Sequence, residues 1–271
     1  MTDSPPPNQQ IVFDDGAAYE TMMGRWSRLA GEVFLDWLAP SAGFRWLDVG
    51  CGTGAFAQLV IERCAPKSVD GLDPSPAQLA FARKRAPAAL SQFHQGDATE
   101  LPFPDDSFDV AIMALVIFFL ETPALGVAEM ARVVRPGGTV AAYAWDMEGA
   151  GFPLAVLLEE LNALGRTVAQ APSPAASGIE ALRALWLGAG LEEIETREIH
   201  VSRTFENFED LWETSRLGSS VKPVLAEMPP DEIATLRARL RARFPAGKDG
   251  RITCGARANA VRGRVALPST Y

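Results

Sequence analysis

The stretch LDVGCGTGAFA, residues 47–57, constrains the fold of this chain more than any other. It begins as an apolar segment carrying one acid, as a buried strand ending at a sheet edge would. Gly50, Gly52 and Gly54 then follow at every second position, a run that supplies the positive φ and close backbone approach of a tight turn. Small residues after the turn can open a helix. The spacing G-x-G-x-x-A is also met, by Gly50, Gly52 and Ala55. By itself that spacing is weak evidence, because its meaning depends on a strand before it and a helix after it.

The rest of the first half repeats the unit. FRWLDVG is the first expected strand, with a helix from about Gly54 to Arg63. SVDGLDP (68–74) is a strand stopped by proline, followed by a helix over 76–86. SQFHQGDA (91–98) and FDVAIMALV (108–116) are the third and fourth strands. The next helix takes Thr122 as N-cap, Pro123 at its first position and Arg135 in its last turn, with RPGG ending it. TVAAYAWD (139–146) is the fifth strand. Strands alternating with helices at this spacing mean an α/β, doubly wound parallel sheet covered on both faces.

The pattern changes after residue 146. Helical stretches surround PLAVLLEELNALG and IEALRALWLGAG, with the linker QAPSPAASG between them. LEEIETREIHVSRTF (191–205) alternates like a strand, ENFEDLWETSRL and PDEIATLRARLRARF read as helices, and residues 250–265 form a last strand. Before the first strand, residues 16–39 place Leu29, Val33, Phe34, Trp37 and Leu38 at helical spacing, with Gly24 and Gly31 as possible breaks. We expect one domain over 16–265, with a core at about 40–146 and 177–265. Lid helices fall at about 16–39, 150–166 and 206–244, and tails at 1–15 and 266–271.

Composition excludes several function classes. The 271 residues carry a net charge of −9 and no basic run longer than RKR (83–85), which argues against a nucleic-acid partner. Three cysteines without a C-x-x-C pair, and only two histidines, His94 and His200, make a metal site unexpected. The longest apolar run, VAIMALVIFFL (110–120), is far short of the roughly 20 residues of a membrane helix. The start, MTDSPPPNQQ, lacks the features of a signal peptide. A cytoplasmic protein not inserted in a membrane is expected, its oligomeric state unreadable.

The acids place the chemistry. Asp48, Asp73 and Asp97 end the first, second and third strands, and in a parallel sheet those ends share the edge where α/β folds bind ligands. The turn Gly50–Gly54 lets backbone approach a ligand, and amides opening the next helix favour an anionic group. Asp73 is placed to accept from two ribose hydroxyls. Asp97 can accept from an adenine amine while the Ala98 amide donates to a ring nitrogen. Leu72 and Pro74 flank the expected base position.

LDVGCGTGAFA, GLDPSPAQLAFAR, GDATELPFPDDSFDVAI and EMARVVRPGGTVAAYAWD resemble the class I S-adenosylmethionine-dependent methyltransferases, most closely the ubiquinone/menaquinone-biosynthesis branch. The resemblance covers about residues 15–146. It implies S-adenosyl-L-methionine as cofactor, held by Asp48, Gly50, Cys51, Gly52, Gly54, Asp73, Pro74, Asp97, Ala98 and Ala114. It also implies a seven-stranded sheet of Rossmann-like type whose last strand runs antiparallel. Two departures stand out: Phe118 and Phe119 replace histidines of many relatives, and MALV stands where enzymes methylating DNA-base amines carry N/D-P-P-Y/W.

The acceptor is expected to be a small, apolar or aromatic molecule, with Tyr19, Arg25, Trp26, Phe118, Phe119 and Trp145 as candidate pocket residues. No histidine is placed to act as general base, so positioning rather than proton transfer is the expected source of rate. Two alternatives use the same motifs: a nicotinamide-dependent oxidoreductase, and a non-catalytic S-adenosylmethionine-binding protein. The third acid at Asp97 and the long segment before the first strand speak against the former.

Overall fold

A computed structural model describes residues 17, 20–87 and 89–268. Seven strands form one sheet: β1 (Arg45–Val49), β2 (Ser68–Asp73), β3 (Ser91–Gln95), β4 (Phe108–Ala114), β5 (Val134–Trp145), β6 (Glu192–Phe205) and β7 (Ile252–Arg264). Their order is β3-β2-β1-β4-β5-β7-β6. The first five pair parallel, and β7 runs antiparallel between β5 and β6. The expectation of a mostly parallel, doubly wound α/β sheet of seven strands, the last antiparallel, is met.

The order reverses between β1 and β4, so the connections leaving these two strands part to opposite sides and open a crevice at their carboxyl ends. The helices that follow close the faces. They are α1 (Arg25–Leu38), α2 (Ala55–Cys64), α3 (Pro76–Arg85), α4 (Pro123–Val133), α5 (Ala155–Ala163), α6 (Ile179–Gly188), α7 (Phe208–Ser215), α8 (Lys222–Ala226) and α9 (Pro230–Arg243). On one face, Phe34 of α1, Phe56 of α2 and Tyr143 of β5 pack as a ring cluster, with Phe34 and Tyr143 centroids 4.7 Å apart. On the other, Trp186 of α6 is buried and donates its Nε1–H to the Val140 carbonyl at 2.9 Å.

Two local expectations are corrected. Arg135 does not sit in a helix: α4 stops at Val133 and β5 begins at once. The RPGG segment is a bulge within β5, since Phe108 pairs with Val134 while Val110 pairs with Thr139. The bulge is tied down because Asp109 accepts from Arg135 Nε at 2.6 Å and from the Arg45 amide at 2.7 Å. Gly31 is not a break either. It sits within the continuous α1, where an added Cβ would lie 2.9 Å from Leu59 Cδ2 and 3.2 Å from the Tyr143 hydroxyl. The glycine serves close helix packing.

Candidate cofactor and acceptor site

The turn after β1 is built from its own amides. Gly50 and Cys51 both donate to the Leu72 carbonyl, at 2.7 and 3.0 Å, and Gly54 donates to the Cys51 carbonyl at 2.8 Å. Gly50 has φ +76°, and a Cβ there would lie 2.5 Å from Val116 Cγ2. The turn after β1 therefore passes directly under the segment leaving β4. Gly54, at φ +74°, lets α3 approach until Ala82 is 3.0 Å from where a Cβ would be.

Asp73 braces this turn. Its Oδ2 accepts from the Gly52 amide and its Oδ1 from the Ser75 amide, both at 2.9 Å. Burial pushes its carboxyl up, and the two amides pull against that. Asp97 is exposed, and its Oδ1 accepts from the amide and hydroxyl of Thr99, each at 2.7 Å, which holds its carboxyl below the usual range. Oδ2 remains for another donor.

Asp48 differs from both. It is 3% exposed, and among the described residues neither of its oxygens accepts a well-formed hydrogen bond, only the Ala57 amide being directed toward it. Burial, and then the nearby Asp73 charge, push its carboxyl up to about 7, while the Ala57 amide in the first turn of α2 offsets part of this. A buried carboxyl without a well-formed hydrogen bond is costly unless a ligand supplies one.

Asp48, Asp73 and Asp97 line one cavity of about 1020 Å³. Its lining includes Asp73, Pro74, Asp97 and Ala98, then Asp48, Gly50, Cys51, Gly52, Ala114 and Phe119, and also Ser27, Phe56, Leu59 and Tyr143. The cofactor residues named from sequence thus come together around one space, with Gly54 set behind the turn against α3 and also next to it through Thr53 and Ala55.

The acceptor candidates scatter more widely. Phe119 lines the cavity, with the Phe118 ring tilted against it at a centroid distance of 4.6 Å and itself buried. Trp26 and Trp145 are buried at 3% and 1% exposure and are not among the lining residues, because the helix and strand turn them into the core. Arg25 is exposed, with its charge acting on Arg203 of β6 rather than in the cavity. Tyr19 lies outside the described residues. His94 pairs with Asp70 at 2.9 Å and His200 with Glu198 at 3.1 Å, and neither lines the cavity. Among the described residues no group of three or more His, Cys, Asp or Glu could hold a metal.

Several residues of the site carried no sequence signal. Leu115 adopts φ +65° as the chain leaves β4 and lines the cavity, a conformation uncommon outside glycine and concentrated at functional positions. Glu20 joins Thr53 Oγ1 at 2.6 Å and Arg85 at 2.8 Å, fastening the segment before α1 to the glycine turn. Ser27, one helical turn before Gly31, brings a hydroxyl without a partner among the described residues.

Fold and site together define a class: open α/β proteins that hold a nucleoside-bearing cofactor at the switch point between β1 and β4. Residues 47–142 match the family described as "Methyltransferase domain", a match that supports a class I S-adenosylmethionine-dependent methyltransferase domain. The ubiquinone/menaquinone biosynthesis C-methyltransferase UbiE of Roseobacter denitrificans is 39% identical over 115 residues, 41% of this chain and 46% of that protein. The malonyl-[acyl-carrier protein] O-methyltransferase of Serratia marcescens is 36% identical over 136 residues, 49% of this chain and 52% of that protein. The chain thus spans about half the length of the curated relatives it matches. Among solved structures, the YcgJ protein of Bacillus subtilis aligns over 88% of this chain and 99% of its own, with TM-score 0.57 at 20% identity. Phosphoethanolamine N-methyltransferase 2 of Haemonchus contortus, in complex with S-adenosyl-L-methionine, aligns over 93% of this chain and 57% of its own, with TM-score 0.59 at 20% identity. These two likenesses concern the fold.

Proposed function

We propose that this chain is an enzyme transferring a methyl group from S-adenosylmethionine to a small, apolar or aromatic acceptor. One observation carries the reading: Asp48, Asp73 and Asp97 end adjacent strands around a single cavity, and Asp48 is buried there without a well-formed hydrogen bond. A cofactor bearing an ammonium, a ribose diol and an adenine amine offers one donor group to each. The sulfonium supplies an electrophilic methyl and leaves as a neutral thioether, so no acid is required for its departure.

The chain's own residues bind, orient and exclude water. Gly50, Cys51 and Gly52 pass the methionine portion, Asp73 keeps lone pairs for the ribose, and Asp97 Oδ2 with the Ala98 amide reads the adenine between Leu72 and Pro74. Ala114 and Phe119 line the same cavity. With no histidine on its lining, rate comes from alignment of nucleophile and methyl in a dry space. The domain comprises the sheet and its flanking helices, with the segment from Glu20 through α1, together with α5, α7 and α9, acting as lid. We also infer a cytoplasmic location and no nucleic-acid partner, from the acidic balance of the chain. No described helix is long and apolar enough to cross a membrane.

Calorimetry with S-adenosylmethionine and its demethylated product, against NAD and NADP, tests the cofactor. Labelled S-adenosylmethionine in an acceptor screen tests the transfer. Asp73→Ala removes the brace of Gly52 and the ribose acceptor together, and is expected to weaken cofactor binding by about 2–4 kcal/mol. Unchanged affinity in that variant, or tight binding of NAD, defeats the reading.

A further inference from the structure

The arginines of this chain mostly close onto carboxylates, as Arg28, Arg85, Arg132, Arg239 and Arg257 do. Arg25 and Arg203 are exceptions, with no ion pair among the described residues. Arg203 lies near the end of β6, opposite Cys254 of β7. Its Nη1 donates to the Met22 carbonyl at 3.1 Å, and its guanidinium carbon stands 4.5 Å from the centre of the Phe205 ring. Its Nε is buried and has no hydrogen-bond partner among the described residues, and Nη2 has none either. Nε and Nη2 form the edge through which a guanidinium grips a carboxylate or phosphate with two parallel hydrogen bonds. A buried donor left unpaired on that edge is costly.

Arg25 opens α1, shortly after the Met22 carbonyl that holds Arg203, and is exposed. Burial first, and then the Arg25 charge, hold the Arg203 guanidinium below its ordinary range, with Asp210 offsetting part of this. Asp210 itself accepts from the Glu206 amide at 3.0 Å and forms an ion pair with neither arginine among the described residues. Two cations thus stand together where the start of α1, the end of β6 and α7 pack, in a chain of net charge −9. Neither lines the cofactor cavity.

We propose that Arg203 and Arg25 form an oxyanion site outside the cofactor cavity, which takes the phosphate or carboxylate group of a small molecule. Arg203 supplies the two-pronged edge and Arg25 the second charge. The two cations repel each other, and an anion shared between them replaces that repulsion by attraction to both. Half-burial of Arg203 makes the attraction stronger than it is for a fully solvated pair. Because Arg203 also holds the Met22 carbonyl, an occupied site fixes the Glu20–Gly24 turn to β6.

The test titrates the full chain, carrying isotope-labelled arginine, with inorganic phosphate and with acetate at neutral pH, ionic strength being held by sodium chloride. The Arg203 Nε–H signal and the amide signals of residues 22–25 are expected to shift saturably with phosphate, acetate or both, half-complete at about 1–10 mM. No saturation with either anion by about 50 mM overturns the proposal. Followed on the amide signals, Arg203→Lys keeps the charge but loses the fork, and is expected to weaken binding about tenfold. Arg25→Gln changes an exposed position and is expected to weaken it about as much, and unchanged affinity there overturns the two-arginine site. Arg197→Gln, exposed on the same strand, should leave affinity within about twofold, and weakening equal to that of Arg25→Gln would show only diffuse attraction and overturn the proposal. Asp14 and Asp15 are the acids that precede Glu20 most closely in the sequence. Replacing both with asparagine should leave phosphate affinity within about twofold, whereas a gain of about tenfold would make the chain's own carboxylates the occupant and overturn the proposal.

Discussion

Asp48 combines deep burial, two oxygens without a well-formed hydrogen bond and a carboxyl raised from 3.8 to about 7, by burial first and then by Asp73. Folded Asp48 holds its proton more tightly than unfolded Asp48. Stability is therefore unaffected by this group below about pH 4, falls as pH rises through about 7, and is constant above that. Asp48→Asn cannot ionise, so its stability relative to the wild type should improve between about pH 5 and about pH 8, by roughly 2–4 kcal/mol at most. Urea denaturation at the two pH values measures this. A difference that does not change with pH would mean Asp48 is not titrating there. The same group links cofactor binding to pH: a cationic ligand group opposite Asp48 favours its ionised form, so affinity should rise as pH climbs toward about 7, with proton release. Calorimetry in buffers of different ionisation heat reads that release directly. Asp73 and Cys51 are the titratable groups facing it.

The segment from Glu20 to Leu38 is held at its start by the Thr53 hydroxyl to Glu20 at 2.6 Å, by Arg85 to Glu20 at 2.8 Å and by Arg203 Nη1 to the Met22 carbonyl at 3.1 Å. Glu20–Gly24 is a π-helical turn leading into α1, a rare form that is frequent at functional sites. Thr53→Val keeps the shape of the side chain and removes the hydrogen bond to a carboxylate, worth roughly 1.5–3 kcal/mol. Amide exchange over residues 20–38 should then speed up by about tenfold or more, and bound cofactor should dissociate faster, while exchange in β1 and β4 stays unchanged. If exchange over 20–38 is unmoved, the bond does not hold the lid. This latch was invisible in the sequence, because Glu20 and Thr53 are 33 positions apart and neither belongs to a periodic pattern.

The helices inserted after β5 are joined by charge. Arg239 and Arg243 of α9 both pair with Glu160 of α5, whose side chain is 9% exposed, while Arg237 and Arg241 pair with Glu209 of α7. Removing a buried carboxylate from between two arginines leaves like charges facing each other. Glu160→Ala should therefore loosen α9 first: exchange should rise over residues 230–243 and 155–163 while the central sheet keeps its protection. Loss of protection in β1, β4 and β5 at the same time would show that these helices and the sheet unfold as one unit.

The central architecture was readable from the chain because its causes are local. Each strand is an apolar run bounded by turn residues, each crossover is a helix of matching length, and parallel pairing alone aligns the acids at residues 48, 73 and 97 on one edge. The glycine turn was readable for the same reason, since its positive φ values require glycine at Gly50, Gly52 and Gly54. The RPGG bulge looks like a helix stop in the sequence because glycine and proline mark a break in either setting. The part of the cavity lined by Ser27, Phe56 and Tyr143 had no such signal. Ser27, Phe56 and Tyr143 meet only because α1 docks on α2 and β5, and Leu115 takes a left-handed conformation that nothing in a leucine announces. Local sequence specifies the cofactor edge, where one backbone rule places every group. The lining by Ser27, Phe56 and Tyr143 is made by packing between distant segments, which no local rule announces.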